Sequence, residues 1–385
     1  MLKVAYISCF SSTKSSLSEY SLCFAQVLGE IDGVSLLKVD LSDWHLRSGR
    51  QMYREVKNCF KHFVEQKGPI DCFHFELVNH HLMVWAAIIA KDELGIDGKV
   101  FATLHDPPLP VNGALSLTLP ESKIMHRLAR LADIVAPRWV FRKFESVVDG
   151  AFFLSKAGEK SFAKKWPAMK TAVIPHVPFE LPTHLQNEWR LNPLREKTKN
   201  KRIEVFFAGF WWKHKGIEEL IKAVSLLADE GEELRLVLSG KGPDSYVKKI
   251  ERLLKKLKNQ GVEVQQPGHL ELADLYQRGH QADCWVVPYH RSNKVSASGV
   301  LVRGGISQAR MIVSDLPQLR ETAEYFKSNV GYYRVGDVRS LKKAIKSIII
   351  MKQTNKAFDT RLYLASKDKC ERDVANAVRL MLEFE

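Results

Sequence analysis

The sequence predicts an α/β protein built from two doubly wound parallel sheets in tandem. Three observations support this fold class. The chain has 385 residues, more than one core ordinarily holds, strand-like and helix-like segments alternate in both halves, and a composition break separates the halves. Two Rossmann-like domains of roughly 180 residues each are therefore expected. We expect them to face each other across a cleft, with the ligand bound between the carboxyl ends of the two sheets.

In the first half, short apolar runs typical of buried strands alternate with amphipathic runs typical of helices. The predicted strands are Val4–Ser8, Val34–Val39, Cys72–Glu76, Val100–Leu104, Ala151–Leu154 and Ala172–Ile174. The predicted helices lie around Glu19–Leu28 and through Leu82–Ala90. The opening run MLKVAYISCF has a short apolar part and no small-residue cleavage site, so it predicts the first strand and not a signal peptide.

The segment from Pro178 to Arg202 carries three prolines and a basic run, a composition typical of a linker between domains. The second half then repeats the strand and helix alternation. Its predicted strands are Glu204–Ala208, Arg235–Ser239, Val262–Val264, Cys284–Pro288 and Met311–Ser314. The expected domains are residues 1–185, residues 203–360, and a C-terminal helix within 361–385 that packs back on the first domain.

Composition limits the class of protein and its partners. The 45% hydrophobic and 26% charged content is typical of a globular protein, and no apolar run reaches the roughly 20 residues needed to span a bilayer. Six scattered cysteines without C-x-x-C spacing favour a reducing cytoplasm and give no metal motif. The net charge of +14 would attract polyphosphates, anionic membranes or nucleic acid. No nucleic-acid-binding signature accompanies the charge, so we predict no nucleic-acid partner.

The segment Phe206–Ala223 is typical of a buried strand followed by a glycine turn and a helix, with a lysine just before the first turn of that helix. Gly209 permits a tight exit from the strand, and Lys215 and Gly216 precede the apolar stripe of the helix. Unpaired N–H groups and the positive end of the helix dipole favour phosphate or diphosphate at such a place. The alternative is an ordinary strand-to-helix junction with a solvated lysine.

The order of motifs along the chain resembles the GT-B glycosyltransferases, specifically the large retaining group that includes bacterial mannosyltransferases and sucrose and glycogen synthases. The second half carries the resemblance through Gly209 with Lys215-Gly216, Leu236–Pro243, Gly268-His269-Leu270, Ala282–Tyr289, Ser296–Leu301, Ile312–Asp315 and Glu321. The first half carries it more faintly through Phe73–Glu76, Thr103–Asp106 and Ile174–His176. The resemblance implies a nucleoside-diphosphate sugar as donor substrate and no cofactor.

The resemblance also implies site residues. His105 matches a histidine beside the donor sugar, and with Asp106 it is the predicted catalytic site; its alternative is a loop histidine bonded to backbone. Since the sequence has no D-x-D metal motif, fixed cations and N–H groups would stabilise the leaving diphosphate. The predicted donor-binding residues are Gly209, Lys213, Lys215, Gly216, Gly240, Gly268, His269, Leu270, Ser296, Ser298, Gly299, Val300 and Arg303.

The sequence departs from this family at several of its most distinctive positions. The paired glutamates fall on Ser296 and Gly304, and the arginine that partners the phosphate lysine falls near Phe210. The glycine-rich first loop is replaced by Ser11–Ser16. Arg303 offers a cation to the diphosphate, with an ordinary surface arginine as the simpler interpretation.

The stretch Lys123–Phe144 has six Lys or Arg residues and one acid, Asp133, interleaved with apolar side chains. Such a stretch is typical of a segment that docks on an anionic membrane. The alternative is a packed helix with snorkelling arginines.

Together with these observations, the resemblance implies a hexosyltransferase that is retaining and metal-independent. Its acceptor would be a glycan or a lipid-linked glycan, and it would act in the cytoplasm, peripherally at the inner face of a bacterial membrane. The alternative is a non-catalytic module of the same fold that binds glycan or scaffolds a partner transferase.

Overall fold

The computed structural model describes residues 1–10, 16–40, 49–77, 89–108, 144–191, 202–292, 295, 297–350 and 360–382. The chain divides into two compact units. Unit 1 comprises Met1–Val177, Lys294–Ala297 and Cys370–Glu385, and unit 2 comprises Pro178–Asn293 and Ser298–Lys369. Each unit contains one six-stranded parallel sheet.

The sheet of unit 1 has the strand order β2-β1-β3-β4-β5-β6. Its strands are β1 Leu2–Ser8, β2 Val34–Asp40, β3 Cys72–Leu77, β4 Lys99–Leu104, β5 Gly150–Phe153 and β6 Lys170–Val173. Its helices are α1 Ser16–Gly29, α2 Gly49–Lys67 and α3 Lys156–Ala163. Alternate strand residues point to opposite faces. Phe73 and Phe75 pack in a core with residues of α2 and α3, and the ring of His74 packs against Phe24 of α1.

Unit 2 begins with a helix and continues with the second sheet, whose order is β12-β11-β10-β7-β8-β9. Its strands are β7 Ile203–Ala208, β8 Leu234–Ser239, β9 Glu263–Gly268, β10 Cys284–Val287, β11 Met311–Ser314 and β12 Val330–Tyr333. Its helices are α4 Thr183–Leu191, α5 Ile217–Ala228, α6 Asp244–Asn259, α7 Leu272–Gln281, α8 Gly299–Ile306, α9 Pro317–Tyr325 and α10 Val338–Ile350.

Helices cover both faces of the second sheet, and alternate residues of strand β7 therefore enter two different cores. Val205 and Phe207 pack with residues of α5, α6 and α10. Phe206 and Ala208 pack on the other face with residues of α8 and α9. This two-sided burial explains why Val205–Ala208 is a continuous apolar run and not an alternating one.

The last helix, α11, spans Thr360–Leu382, and its residues from Cys370 onward belong to unit 1. The Cys370 thiol contacts the His176 carbonyl oxygen at 3.5 Å, and the Lys170 amine donates to the Met381 carbonyl at 3.3 Å. Within the described ranges, no helix combines the length and apolar character that crossing a bilayer requires.

All predicted strands are confirmed, with ends that shift by a few residues, and helix α1 is confirmed. Elements for which no range was predicted include α2, α3 and β12. Residues 82–88 of the predicted helix through Leu82–Ala90, and residues 123–143 of the basic stretch, lie outside the described residues.

The prediction that Pro178–Arg202 is only a linker is wrong for α4. This helix buries Leu185 and Trp189, and the Trp189 ring stacks on His280 with centroids 4.2 Å apart. The apolar side chains that anchor it are separated by polar ones, so local composition gave no sign of a core element.

Candidate functional site

The carboxyl ends of three neighbouring strands in unit 2 bring the predicted glycines into one row. The Gly209 N–H donates to the Ser239 carbonyl at 3.1 Å, and the Gly240 N–H donates to the Gly268 carbonyl at 2.7 Å. A Cβ on Gly240 would lie 1.8 Å from the Gly209 oxygen, so only glycine permits this approach. The three glycines thus form a row of backbone at the carboxyl edge of the sheet.

The loop after Gly209 is anchored by one tryptophan. Trp211 is buried, its indole N–H donates to the Ser239 carbonyl at 3.4 Å, and its backbone N–H donates to the Lys241 carbonyl at 2.7 Å. Trp212 and Phe210 on either side of it are exposed. Trp211 therefore belongs to the core of unit 2, and it fixes the path of the chain toward Lys215.

Lys215 is not the fully solvated side chain of the alternative interpretation. It ends a 3-10 turn, Lys213–Lys215, and its ammonium lies 3.7 Å from the centroid of the Tyr289 ring. A cation over an aromatic face at this distance is attracted by the ring quadrupole. Tyr289 follows β10, so the contact holds the lysine at the carboxyl edge of the sheet. Lys213, in the same turn, is exposed.

Gly216 joins this turn to helix α5 in a conformation that favours glycine. Its φ is +68°, and an added Cβ would lie 1.7 Å from the Pro288 carbonyl oxygen. The residue therefore lets the Lys215 loop pack directly on the backbone before Tyr289. The predicted strand, glycine turn and helix are all present in this segment.

The start of helix α8 lies beside the same edge. Ser298 is its N-cap and accepts a hydrogen bond from the Leu301 N–H at 3.3 Å, and the Ser298 hydroxyl donates to the Tyr289 hydroxyl at 3.4 Å. A Cβ on Gly209 would lie 3.8 Å from a methyl group of Val300. The strand exit, Tyr289 and the N-terminus of α8 thus meet, as an anion site requires.

Arg303 is buried, with a relative exposure of 7% for the residue, which corrects the interpretation of it as a surface arginine. Its guanidinium carbon lies 4.0 Å from the Phe179 ring centroid. A Cβ on Gly299 would lie 3.4 Å from the Arg303 Nη1 atom, so the cation is close to the first turn of α8. Phe179 is far away in sequence, and no local pattern indicated that it would cover this arginine.

The remaining residues that were predicted to bind the donor are not brought together as closely. His269 is exposed, and Leu270 is half-buried against the core of unit 2. Ser296 lies outside the described residues. Gly304, the second position of the missing glutamates, is buried, and a Cβ there would lie 2.3 Å from the Met311 sulfur. A side chain at 304 therefore requires Met311 to move.

In unit 1, the predicted catalytic histidine belongs to a buried polar cluster. His105 follows β4, and its Nε2 atom lies 2.7 Å from the Oε2 atom of Glu76 in β3. The Tyr6 hydroxyl donates to the other carboxylate oxygen at 2.9 Å, and the His74 Nε2 atom lies 3.5 Å from that oxygen. His105 is bonded to a carboxylate, which differs from the backbone-bonded loop histidine of the alternative interpretation. Asp106 is half-buried in the next position.

The electrostatics of the cluster keep Glu76 ionised. Burial raises the pKa of its carboxyl, but hydrogen bonds from His105 and His74 lower it by more, from an ordinary 4.5 to about 2. Burial also raises the pKa of Tyr6 and Tyr20, and the nearby Glu76 charge raises both further, so these phenols stay neutral. Among the described residues, no three His, Cys, Asp or Glu side chains are grouped as a metal site.

Sequence reasoning missed several residues of these clusters, among them Glu76, Tyr289 and Phe179. Glu76 and Tyr289 stand inside segments that carry the family resemblance, and their position after or within buried strands was the available signal. Which partners they meet depends on strand order, which the sequence alone does not show.

Comparison with known proteins gives one family match, in the second half of the chain. Residues 201–351 match the family described as Glycosyl transferases group 1. No curated protein matches the chain in sequence.

Solved structures match the chain over its whole length. HepE from Anabaena in complex with UDP-glucose is similar with a TM-score of 0.65 and 15% identity, over 100% of this chain and 99% of that chain. The catalytic domain of starch synthase IV from Arabidopsis thaliana, bound to ADP and acarbose, is similar with a TM-score of 0.62 and 9% identity, over 99% and 98%. Sucrose-phosphate synthase from Thermosynechococcus elongatus is similar with a TM-score of 0.56 and 14% identity, over 100% and 97%. Residues 201–351 thus match the Glycosyl transferases group 1 family, and the chain as a whole has the fold of the GT-B glycosyltransferases.

Proposed function

We propose that the protein is a glycosyltransferase that moves a hexose from a nucleoside-diphosphate sugar to a glycan or lipid-linked acceptor. One observation carries the proposal: residues 201–351 hold Lys215, the row of strand-end glycines and the start of α8 at one edge of the second sheet. A diphosphate needs positive charge and N–H donors, and this edge supplies both. The similarity to a structure that contains UDP-glucose supports a nucleotide sugar as donor.

The proposed mechanism assigns the leaving diphosphate to unit 2. Lys215 and Arg303 provide fixed cations, and the N–H groups of Gly299 and Val300 point out of the first turn of α8. These groups stabilise charge as it develops on the leaving group, which is where a transferase gains rate. We propose that transfer proceeds with retention and without a metal.

His105 and Asp106 of unit 1 are proposed to contact the donor sugar. Ser298, and Ser296 by the family resemblance, would replace one carboxylate with neutral hydrogen-bond partners. Such bonds are weaker than charge-assisted ones by about a factor of two, so we expect modest donor affinity with more of it carried by Lys215.

The second candidate function is a non-catalytic module that binds glycan or scaffolds a partner transferase. The observation that favours it is Gly304, which is packed against Met311 where the family has a glutamate. Incubation with UDP-, GDP- and ADP-sugars, followed by detection of released nucleoside diphosphate, separates the two. Turnover of one donor supports the transferase; binding of glycan with no sugar nucleotide bound at millimolar concentration favours the module.

The site assignment is tested by Lys215→Ala, with Lys222→Ala as the control. Lys222 is an exposed lysine on α5, so its variant makes the same change of charge away from the strand edge. Loss of a charge-assisted contact costs about 1.5–3 kcal/mol, so donor affinity should fall roughly tenfold to hundredfold in Lys215→Ala. Calorimetric titration with the donor measures it. Equal affinities in the two variants would remove Lys215 from the site.

We propose that the protein is cytoplasmic and associates with an anionic membrane through residues 123–144. The support is the net charge of +14 and the basic, aromatic composition of that stretch. Co-sedimentation with vesicles containing anionic lipid, compared with zwitterionic vesicles, tests this. Absence of binding to both at low salt would contradict it.

A further inference from the structure

The carboxylate of Glu76 and the ring of His105 come from neighbouring strands and meet at the carboxyl edge of the first sheet. Strands β3 and β4 pair in register with Glu76 opposite Thr103 and Leu77 opposite Leu104. The backbone N–H of His105 donates to the Leu77 carbonyl at 3.2 Å, which extends the β3–β4 hydrogen-bond ladder by one residue. The backbone therefore sets the distance between the two side chains.

Each oxygen of the carboxylate has its own close partner. Oε1 accepts from the Tyr6 hydroxyl at 2.9 Å, and Oε2 lies 2.7 Å from the His105 Nε2 atom. An ionised carboxylate can only accept hydrogen bonds, so the Nε2 atom of His105 carries the proton. In a neutral imidazole the Nδ1 atom is then a hydrogen-bond acceptor.

Among the contacts of the His105 ring, the hydrogen bond to Glu76 is its main constraint. His74 bonds to the Thr103 hydroxyl at 2.7 Å and lies farther from the carboxylate, so it is not the chief partner of Glu76. Tyr20 packs edge-on against the His105 ring, with centroids 4.8 Å apart and planes at 83°. Glu76 is fully buried, whereas 15% of the His105 side chain is exposed.

We propose that Glu76 is a positioning residue that holds His105 in its Nε2–H tautomer and presents Nδ1 as the acceptor for a sugar hydroxyl. The choice of ligand rests on the proposed function; the tautomer does not. An apolar side chain would fill the same space without the cost of burying a charge. What the carboxylate adds is a fixed acceptor beside the ring.

The experiment measures the His105 ring directly. Protein labelled with ¹⁵N-histidine gives long-range proton–nitrogen correlations that distinguish the two neutral tautomers, and the His105 signals are assigned by their loss in His105→Gln. We expect Nε2–H in the unaltered protein and a mixture of tautomers in Glu76→Ala. Glu76→Gln should restore Nε2–H, because its amide oxygen can accept from the ring while its NH₂ group donates to the Tyr6 hydroxyl oxygen.

Tyr6→Phe is the matched control, because it removes the partner of Oε1 and leaves the bond to His105 in place. It should keep the tautomer and keep kcat within a few-fold. Glu76→Ala should lower kcat about 10- to 100-fold, the size of loss seen when the carboxylate partner of a metal-ligating histidine is removed. Unchanged ring signals in Glu76→Ala, or equal losses of kcat in Glu76→Ala and Tyr6→Phe, would overturn the proposal.

If Glu76→Ala does not fold, Glu76→Asp takes its place, since it keeps the charge but draws the carboxylate back by one methylene. A mixture of tautomers is then expected, and unchanged signals again overturn the proposal. A protein that turns over no donor would end the proposed function, while the ring signals would still decide whether Glu76 positions His105.

Discussion

Gly216→Ala tests the geometry that places Lys215 at the edge of the sheet. Gly216 has a φ of +68° and stands between the turn that carries Lys215 and helix α5. An alanine Cβ would lie 1.7 Å from the Pro288 carbonyl oxygen, where real Cβ atoms keep at least 3.0 Å. The backbone at Pro288 must therefore retreat by more than an ångström, and Tyr289 moves with it.

The cost has two parts. A left-handed conformation costs an L-residue roughly 1–2 kcal/mol, and forcing an extra carbon into a packed place costs typically 1–3 kcal/mol. Their sum predicts that the free energy of unfolding of unit 2 falls by about 2–5 kcal/mol. Because the lysine loses its contact with the Tyr289 ring, donor affinity should fall as well.

Gly231→Ala is the matched control. Gly231 has a φ of +86°, but an added Cβ there would have nothing within 4 Å. Only the conformational cost of roughly 1–2 kcal/mol should appear, and donor affinity should not change. Thermal unfolding followed by circular dichroism, with calorimetric titration of the donor, measures both effects. Equal destabilisation in the two variants would refute the close approach of Gly216 to Pro288.

Three further predictions concern residues in both units. Glu76 has a pKa lowered from 4.5 to about 2 in the fold, so it stabilises the protein above pH 4.5 and that contribution is lost as the pH falls toward 2; the difference corresponds to about 3 kcal/mol. Acid unfolding followed by fluorescence should show this dependence, and Glu76→Gln should flatten it; a parallel curve for the variant would contradict the assignment. Trp189→Ala should destabilise unit 2 by about 3–5 kcal/mol in a denaturant titration, because a buried ring is removed from its stack on His280; a loss below about 1 kcal/mol would restore the linker interpretation. Gly299→Val should weaken donor binding about tenfold, the value of one charge-assisted hydrogen bond, because its side chain would lie beside Phe179 and Arg303 at the start of α8; unaltered affinity in a calorimetric titration would place the phosphate elsewhere.

Local pattern was enough to predict most elements of the two sheets. The run Val205–Ala208 is apolar at every position because β7 is covered on both faces, and such runs identify central parallel strands. The start of α8 at Ser298 was also predictable, because a serine before an apolar run is a strong N-cap signal. Edge strand β12, by contrast, is a short segment in which only Tyr333 is buried, and it gave too weak a signal.

The sequence by itself determined the α/β class, the position of the strand-end glycines and the chemical character of the candidate site. Only the tertiary structure decided which side chains meet there. Glu76 pairs with His105 because β3 lies beside β4 in the sheet, and Arg303 is buried because Phe179 folds over it from a distant part of the chain. Sequence periodicity indicates whether a residue lies on the buried face of its own helix or strand. Which residues it contacts depends on strand order and on packing between elements, and no local pattern encodes these.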